Sequence, residues 1–340
     1  MSQGWQLTDK TRAAIVKPLS FGASEIRLEA ETSMPNMIRK ILKWIGIILG
    51  SLIGLVVLAF LVLYIIGTVK WNRIHGSDYE VPVETITIPT DQASIARGEH
   101  IATISMCRDC HTDNMSGQFD SVPGLITLAI PNLTPGAGGV GVANTDEDWV
   151  RAIRHGVGHD GRGLVLMPVR VFYYLSDEDL AALVAYLKSL PPIDNQIPAT
   201  DLGPMGRVML ALGQLPAEIS IPDVTVIDHN SPHPATPQPG VTIEYGQYLA
   251  RPCGVCHGIN FNGKIIQTDA EYLAPNLTPG GELRAWSEEQ FITTLRTGVT
   301  PNGNQLKSVM PWKYFGQMTD DELKAVWLYL QSLPALKQGD

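Results

Sequence analysis

Two short runs hold every cysteine of this 340-residue chain: Cys107-Arg-Asp-Cys110-His111 and Cys253-Gly-Val-Cys256-His257. Both read C-x-x-C-H, a spacing in which two thiols can add to the two vinyl groups of a haem while the adjacent histidine ligates its iron. A single match could be chance or a redox dithiol, but two matches that consume every cysteine favour haem attachment. A shared four-cysteine zinc site brings its pairs within about 15–20 residues, whereas 142 residues separate Cys110 from Cys253. Two disulfides leave the paired histidines unexplained. The pattern predicts two covalently bound haem c groups, with His111 and His257 as axial ligands.

An iron held by one histidine has a second axial position. Methionine there raises the reduction potential and closes the iron to outside ligands, whereas an empty position permits oxygen or peroxide chemistry. Met167 lies 56 residues after His111 and Met310 lies 53 after His257, each followed by proline. A buried methionine is usually packing, but a thioether ligand must come from a fixed place relative to its histidine, and these two recur in register. They are the expected ligands. Met106, Met115, Met205, Met209 and Met318 have no such match and are assigned to packing. His100, His155, His159, His229 and His233 also lack counterparts and read as surface or linker residues. Arg154 and Arg296 do match, and suit either a haem propionate or a solvated helix face.

The elements that must position these groups are written twice. Pro131-Asn-Leu-Thr-Pro135 recurs as Pro275-Asn-Leu-Thr-Pro279, Met167-Pro168 as Met310-Pro311, and the run from Ser176 to Pro191 as that from Thr319 to Pro334. The offset drifts only between 146 and 142, so one domain of about a hundred residues is repeated. Each copy reads as mainly helical. Its last helix places Leu180, Leu183, Val184, Leu187 and Leu190 on one face, or Leu323, Val326, Trp327, Leu330 and Leu333. Thr145/Asp148, Ser176/Asp179, Ser287/Gln290 and Thr319/Glu322 resemble capping boxes. Helices are predicted before each haem motif, around 95–106 and 245–250. No segment of either copy alternates like a strand.

From Trp44 to Val69 there are 26 residues without a charge, against roughly 20 needed to cross a bilayer. This predicts one transmembrane helix, uncleaved because no small-residue cleavage motif follows it. Gly46, Gly50 and Gly54 are spaced to admit a second helix or are simply common membrane-helix glycines. Arg39, Lys40 and Lys43 before the span outnumber Lys70 and Arg73 after it, which favours a cytoplasmic N-terminal side. Residues 1–69 hold seven basic and four acidic side chains, leaving 18 and 30 in the rest, a net −12. That sign disfavours nucleic acid and suits a protein partner with a basic docking face. Ten of the 24 prolines fall in 191–240, a linker composition, with 205–215 apolar enough for a short packed helix.

The expected organisation is a cytoplasmic segment 1–43, with a biological start at Met34 or Met37, then an anchor 44–69 and a stalk 70–91. Domains 92–191 and 241–335 follow, joined by the proline-rich linker 192–240. Both copies resemble class I c-type cytochrome domains, with C-x-x-C-H after a first helix, a P-N-L-T-P loop, M-P and a terminal helix ending in Y-L-x-S-L-P. The P-N-L-T-P and M-P pattern is similar to the multihaem cytochrome subunits of membrane-bound alcohol and gluconate dehydrogenases. The anchor followed by two haem domains is also similar to the dihaem subunit of cbb-type oxidases. The resemblance implies that the carbonyls of Pro131 and Pro275 accept a hydrogen bond from the axial histidines. It implies an electron carrier on the periplasmic face of a bacterial inner membrane, working with a dehydrogenase, a quinol-oxidising complex or an oxidase. A dihaem peroxidase, a terminal-oxidase subunit, or a subunit that recruits an enzyme and keeps its haems auxiliary are the alternatives.

Overall fold

The computed structural model describes residues 35–76, 78–267 and 271–339. The expectations for residues 1–34, including a start at Met34, lie outside them. By packing the chain forms two units, one ending at Leu55 and one running from Val56. The described part of the first unit is the N-terminal part of helix α1 (Asn36–His75), and its apolar side chains are exposed. With a mean hydropathy of 2.9 in its most apolar window, α1 is long and apolar enough to cross a membrane.

In the second unit each repeat opens with a helix, α2 (Gln92–Ile104) or α9 (Ile243–Ala250). Each closes with α6 (Asp177–Ser189) or α13 (Asp320–Ser332). These two helices cross so tightly that a side chain at the contact is excluded. A Cβ on Gly98 would stand 1.9 Å from the Ala182 carbonyl oxygen, and one on Gly246 the same 1.9 Å from that of Ala325. Around the crossing α6 buries Leu180, Leu183, Val184 and Leu187, each worth about 1.5–3 kcal/mol when removed from water. Thr319, Ser287 and Thr145 form complete capping boxes. Ser176 caps α6, but Asp179 does not reach back to it, being taken by Arg97 and Tyr248.

The haem motifs lie on short helices, α3 (Cys107–His111) and α10 (Gly254–His257). Between motif and P-N-L-T-P loop each repeat then carries a β-hairpin absent from the sequence expectation. In the first, β1 (Gln118–Val122) pairs antiparallel with β2 (Ile126–Ile130); in the second, β4 (Lys264–Gln267) pairs with β5 (Glu271–Ala274). The remaining helices are α4 (Asp146–Val150), which continues as a wide π turn through His155, and α11 (Glu288–Thr297). The M-P motifs are followed by α5 (Val169–Phe172) and α12 (Trp312–Phe315).

The stalk and linker segments are packed rather than free. Helix α1 runs on to His75, with Trp71 buried, and Ile86 and Ile88 lie on the first repeat's core. Within the linker, β3 (Asp201–Leu202) extends the first hairpin, and α7 (Pro204–Ala211) and α8 (Ala217–Ser220) follow. Trp71, Ile126, Leu202, Leu210 and Ile219 make a small core of their own.

Two side chains for which the sequence allowed a solvated place, His155 and Arg154, are buried instead. His155 is fully buried, with Nε2 2.9 Å from Glu84 and Nδ1 2.9 Å from His229, and His233 also reaches Glu84 at 3.0 Å. Arg154 is fully buried too, ion-paired to Glu84 and to Asp177 at 2.8 Å. Its counterpart Arg296 meets the equivalent acid Asp320 at 2.9 Å. Both guanidinium groups therefore tie the middle helix of a repeat to the start of its last one.

Candidate haem sites

The hairpins explain how a loop 20 or 18 residues away meets the histidine of each C-x-x-C-H motif. Pro131 directly follows β2 and Pro275 directly follows β5, so each return strand delivers its carbonyl to the motif helix. His111 Nδ1 donates to the Pro131 oxygen at 2.9 Å, and His257 Nδ1 to that of Pro275 at 2.8 Å. A carbonyl can only accept, so the proton sits on Nδ1 and the Nε2 lone pair is left for a metal. Burial pushes both imidazoles toward the neutral form, more strongly than the proline carbonyls pull them back.

The same loop has a second task that the sequence did not reveal. Asn132 and Thr134 are buried; Asn132 Nδ2 donates to the Ile193 carbonyl at 2.8 Å, and Ile193 N–H to Thr134 Oγ1 at 3.0 Å. In the second repeat Asn276 Nδ2 donates to the Leu336 carbonyl at 2.7 Å, and Leu336 N–H to Thr278 Oγ1 at 3.2 Å. P-N-L-T-P thus holds the histidine with its proline and latches the chain beyond the last helix with its asparagine and threonine.

In the second repeat Cys253, Cys256, His257, Pro275 and Met310 line one cavity of about 280 Å³. Native cores hold few voids larger than a water molecule, so this is built space. Its walls are apolar, with Leu277, Phe291, Leu295, Phe315, Val326 and Leu330. Thr294 also lines it, and the Thr294 hydroxyl is buried without a hydrogen-bond partner. Two thiols, an imidazole and a thioether around an apolar space fit a haem. In the first repeat Cys107 and Met167 pack against the same core cluster. Burial pushes the Cys107 and Cys253 thiols up to about 12. A redox dithiol works through a lowered thiol, the opposite direction.

The two repeats meet through α2, α6, α9 and α13. His100 Nε2 lies 2.9 Å from Glu322 Oε2, and Tyr248 Oη donates to Asp179 Oδ2 at 2.8 Å. Each acid is also held within its own repeat, Asp179 by Arg97 at 2.6 Å and Glu322 by Tyr245 at 3.2 Å. Ile104 belongs to the core of the second repeat, and Met106, next to Cys107, packs on it.

Comparison with known proteins agrees with this architecture. Residues 243–334 match the family described as cytochrome c, and residues 93–187 match cytochrome c oxidase, cbb3-type, subunit III. The chain carries two cytochrome c domains with two haem c groups. It is 29% identical over 285 residues to the fructose dehydrogenase cytochrome subunit of Gluconobacter japonicus, covering 75% of this chain and 55% of that one. It is 28% identical over 279 residues to the cytochrome c subunit of a quinone-dependent alcohol dehydrogenase of Gluconobacter oxydans, covering 73% and 56%. A diheme cytochrome c-type protein of Cereibacter sphaeroides is 27% identical over 280 residues, covering 73% of this chain and 88% of that one. The chain spans a little over half the length of the two dehydrogenase subunits.

Proposed function

We propose that this protein is a membrane-anchored dihaem cytochrome c that passes single electrons from a dehydrogenase or quinol-oxidising complex to a downstream acceptor. The observation that carries the reading is the apolar cavity lined by Cys253, Cys256, His257 and Met310 together. Thioethers would form at Cys107 and Cys110 and at Cys253 and Cys256. His111 with Met167, and His257 with Met310, would be the axial pairs. When bound, the haem supplies reversible one-electron chemistry at its iron.

The chain's own residues set the conditions for it. Pro131 and Pro275 fix ring orientation through Nδ1, a contact that also raises the basicity of a ligating imidazole. Met167 and Met310 as second ligands would close each iron to oxygen and peroxide. Leu277, Phe291 and their neighbours give the second site an apolar lining. Met106 on the second repeat's core supports a relay between the two sites.

The anchor 44–69 would hold domains 92–191 and 241–335 on the periplasmic face of a bacterial inner membrane, as the basic flank before the span favours. The relatives named as dehydrogenase cytochrome subunits favour a dehydrogenase as donor, and the acidic body favours a partner with a basic docking patch.

The test is expression with export and haem-attachment machinery, followed by haem quantification and spectroscopy of the oxidised protein. Two covalent haems per chain are expected, with a weak red-edge thioether band that M167A and M310A each reduce by half. A high-spin haem that turns over peroxide would overturn the relay in favour of a dihaem peroxidase.

A further inference from the structure

The exit of α1 is joined to the linker helix α7 at a depth that the bilayer itself sets. A Cβ on Gly67 would stand 1.8 Å from the Arg207 carbonyl oxygen, so the two helix backbones touch there. Lys70 Nζ donates to the Leu210 carbonyl at 3.3 Å, and Trp71 is buried beside Leu210. Gly67 still belongs to the uncharged stretch, and only about 4–5 Å of helix rise separates it from Lys70. With residues 44–69 read as the span, helix α7 would stand level with the boundary between hydrocarbon and headgroups.

The outward face of α7 is apolar. Met205, the half-buried Met209 and Leu212, which is the C-cap residue, follow at i, i+4 and i+7, the spacing of one helix face. Met205 is 51% and Leu212 54% exposed, while Gly206, Val208 and Leu210 are turned inward. Residues 203–216 contain no carboxylate, and their single charge, Arg207, is paired with Asp201 at 2.8 Å. An interfacial helix buries such a face about 5–10 Å into the headgroup and acyl boundary.

We infer that α7 is a membrane-interface helix whose Met205, Met209 and Leu212 insert into the lipid surface beside the span. The occupant is lipid because α7 packs against the exit of the candidate membrane helix, at Gly67 and Lys70. The inference rests on the reading of residues 44–69 as that span. It assigns the proline-rich linker a task, fixing the first haem domain against the bilayer.

Full-length haem-loaded protein in phosphatidylcholine nanodiscs tests it, with single cysteines at M205C, M209C and L212C carrying a nitroxide. L58C serves as the span control and E288C as the aqueous control. Oxygen accessibility should exceed that of a water-soluble nickel chelate several-fold at the three α7 positions and at 58, and fall below it at 288. Nickel-dominated contact at α7 would overturn the inference. So would protection from both reagents, which would mean a protein cover. Failure at position 58 would overturn the span and with it the inference, while labelling of the native cysteines would instead count against haem attachment. For a variant that does not accumulate, diazirine-bearing phosphatidylcholine and the unaltered protein give the same answer by mapping crosslinks to 205–212 or away from them.

Discussion

His100 Nε2 stands 2.9 Å from Glu322 Oε2, a contact made from the first helix of one repeat to the last helix of the other. Tyr248, at the position equivalent to His100, reaches Asp179, at the position equivalent to Glu322, at 2.8 Å. The two contacts are the same contact with the repeats exchanged. Y248F removes a donor from a buried carboxylate that Arg97 continues to hold, so a loss of about 1–2 kcal/mol is expected. Urea denaturation of the haem-loaded protein measures it, and an unchanged midpoint would remove Tyr248 from the interface energetics.

Gly98 and Gly246 make a sharper prediction. A methyl group at either place meets a carbonyl oxygen at 1.9 Å, and neither carbonyl is a flexible side-chain end. G98A and G246A must each spread a helix pair, at a cost of about 1–3 kcal/mol. Thermal melting followed by circular dichroism should fall for both variants, although alanine is the better helix former.

The latch in the P-N-L-T-P loop predicts a local effect. N276A leaves the Leu336 carbonyl and the Thr278 N–H without their partner, and N132A removes one of the two donors to the Ile193 carbonyl and the acceptor of the Thr134 N–H. Limited proteolysis with mass mapping should show new cleavage after Leu333 in the first variant and after Leu190 in the second. Equal protection in wild type and variants would refute the latch.

Acid sensitivity follows from two carboxylates held below their usual value of 4.5. Burial pushes Glu84 and Glu322 up, but Arg154 and His233 outweigh it at the first, and His100 and Thr319 at the second. A carboxylate lowered in the folded state contributes its full stability above the unfolded value and loses it as pH falls through the folded one. Melting temperature should therefore drop below about pH 4.5. E322Q should be less stable at neutral pH but lose less on acidification, and melts between about pH 6 and 3 compare the two slopes.

Much of this molecule was legible because its chemistry is local. C-x-x-C-H, the apolar run and the leucine faces of α6 and α13 are patterns within one turn or one helix, and the repeat supplied its own internal comparison. The hairpins escaped for a physical reason. All five residues of β1 are exposed, and β2 has no second face that is cleanly solvated, so neither strand alternates. His155 and Arg154 escaped because burial of a charged group depends on distant partners, here Glu84 before the domain and His229 in the linker, which no spacing announces. The roles of Asn132 and Thr134 likewise needed Ile193, some sixty residues on, to become visible.

The exchanged pairs of the interface carry a consequence for assembly. A surface that meets an equivalent copy of itself is isologous, the arrangement of a two-fold homodimer. Here it joins two domains of one chain, so the patch around His100 and Asp179 is consumed by its counterpart around Tyr248 and Glu322. Such a contact closes at two. A third haem domain, or a redox partner, finds no equivalent face left to bind and must approach the pair by another side.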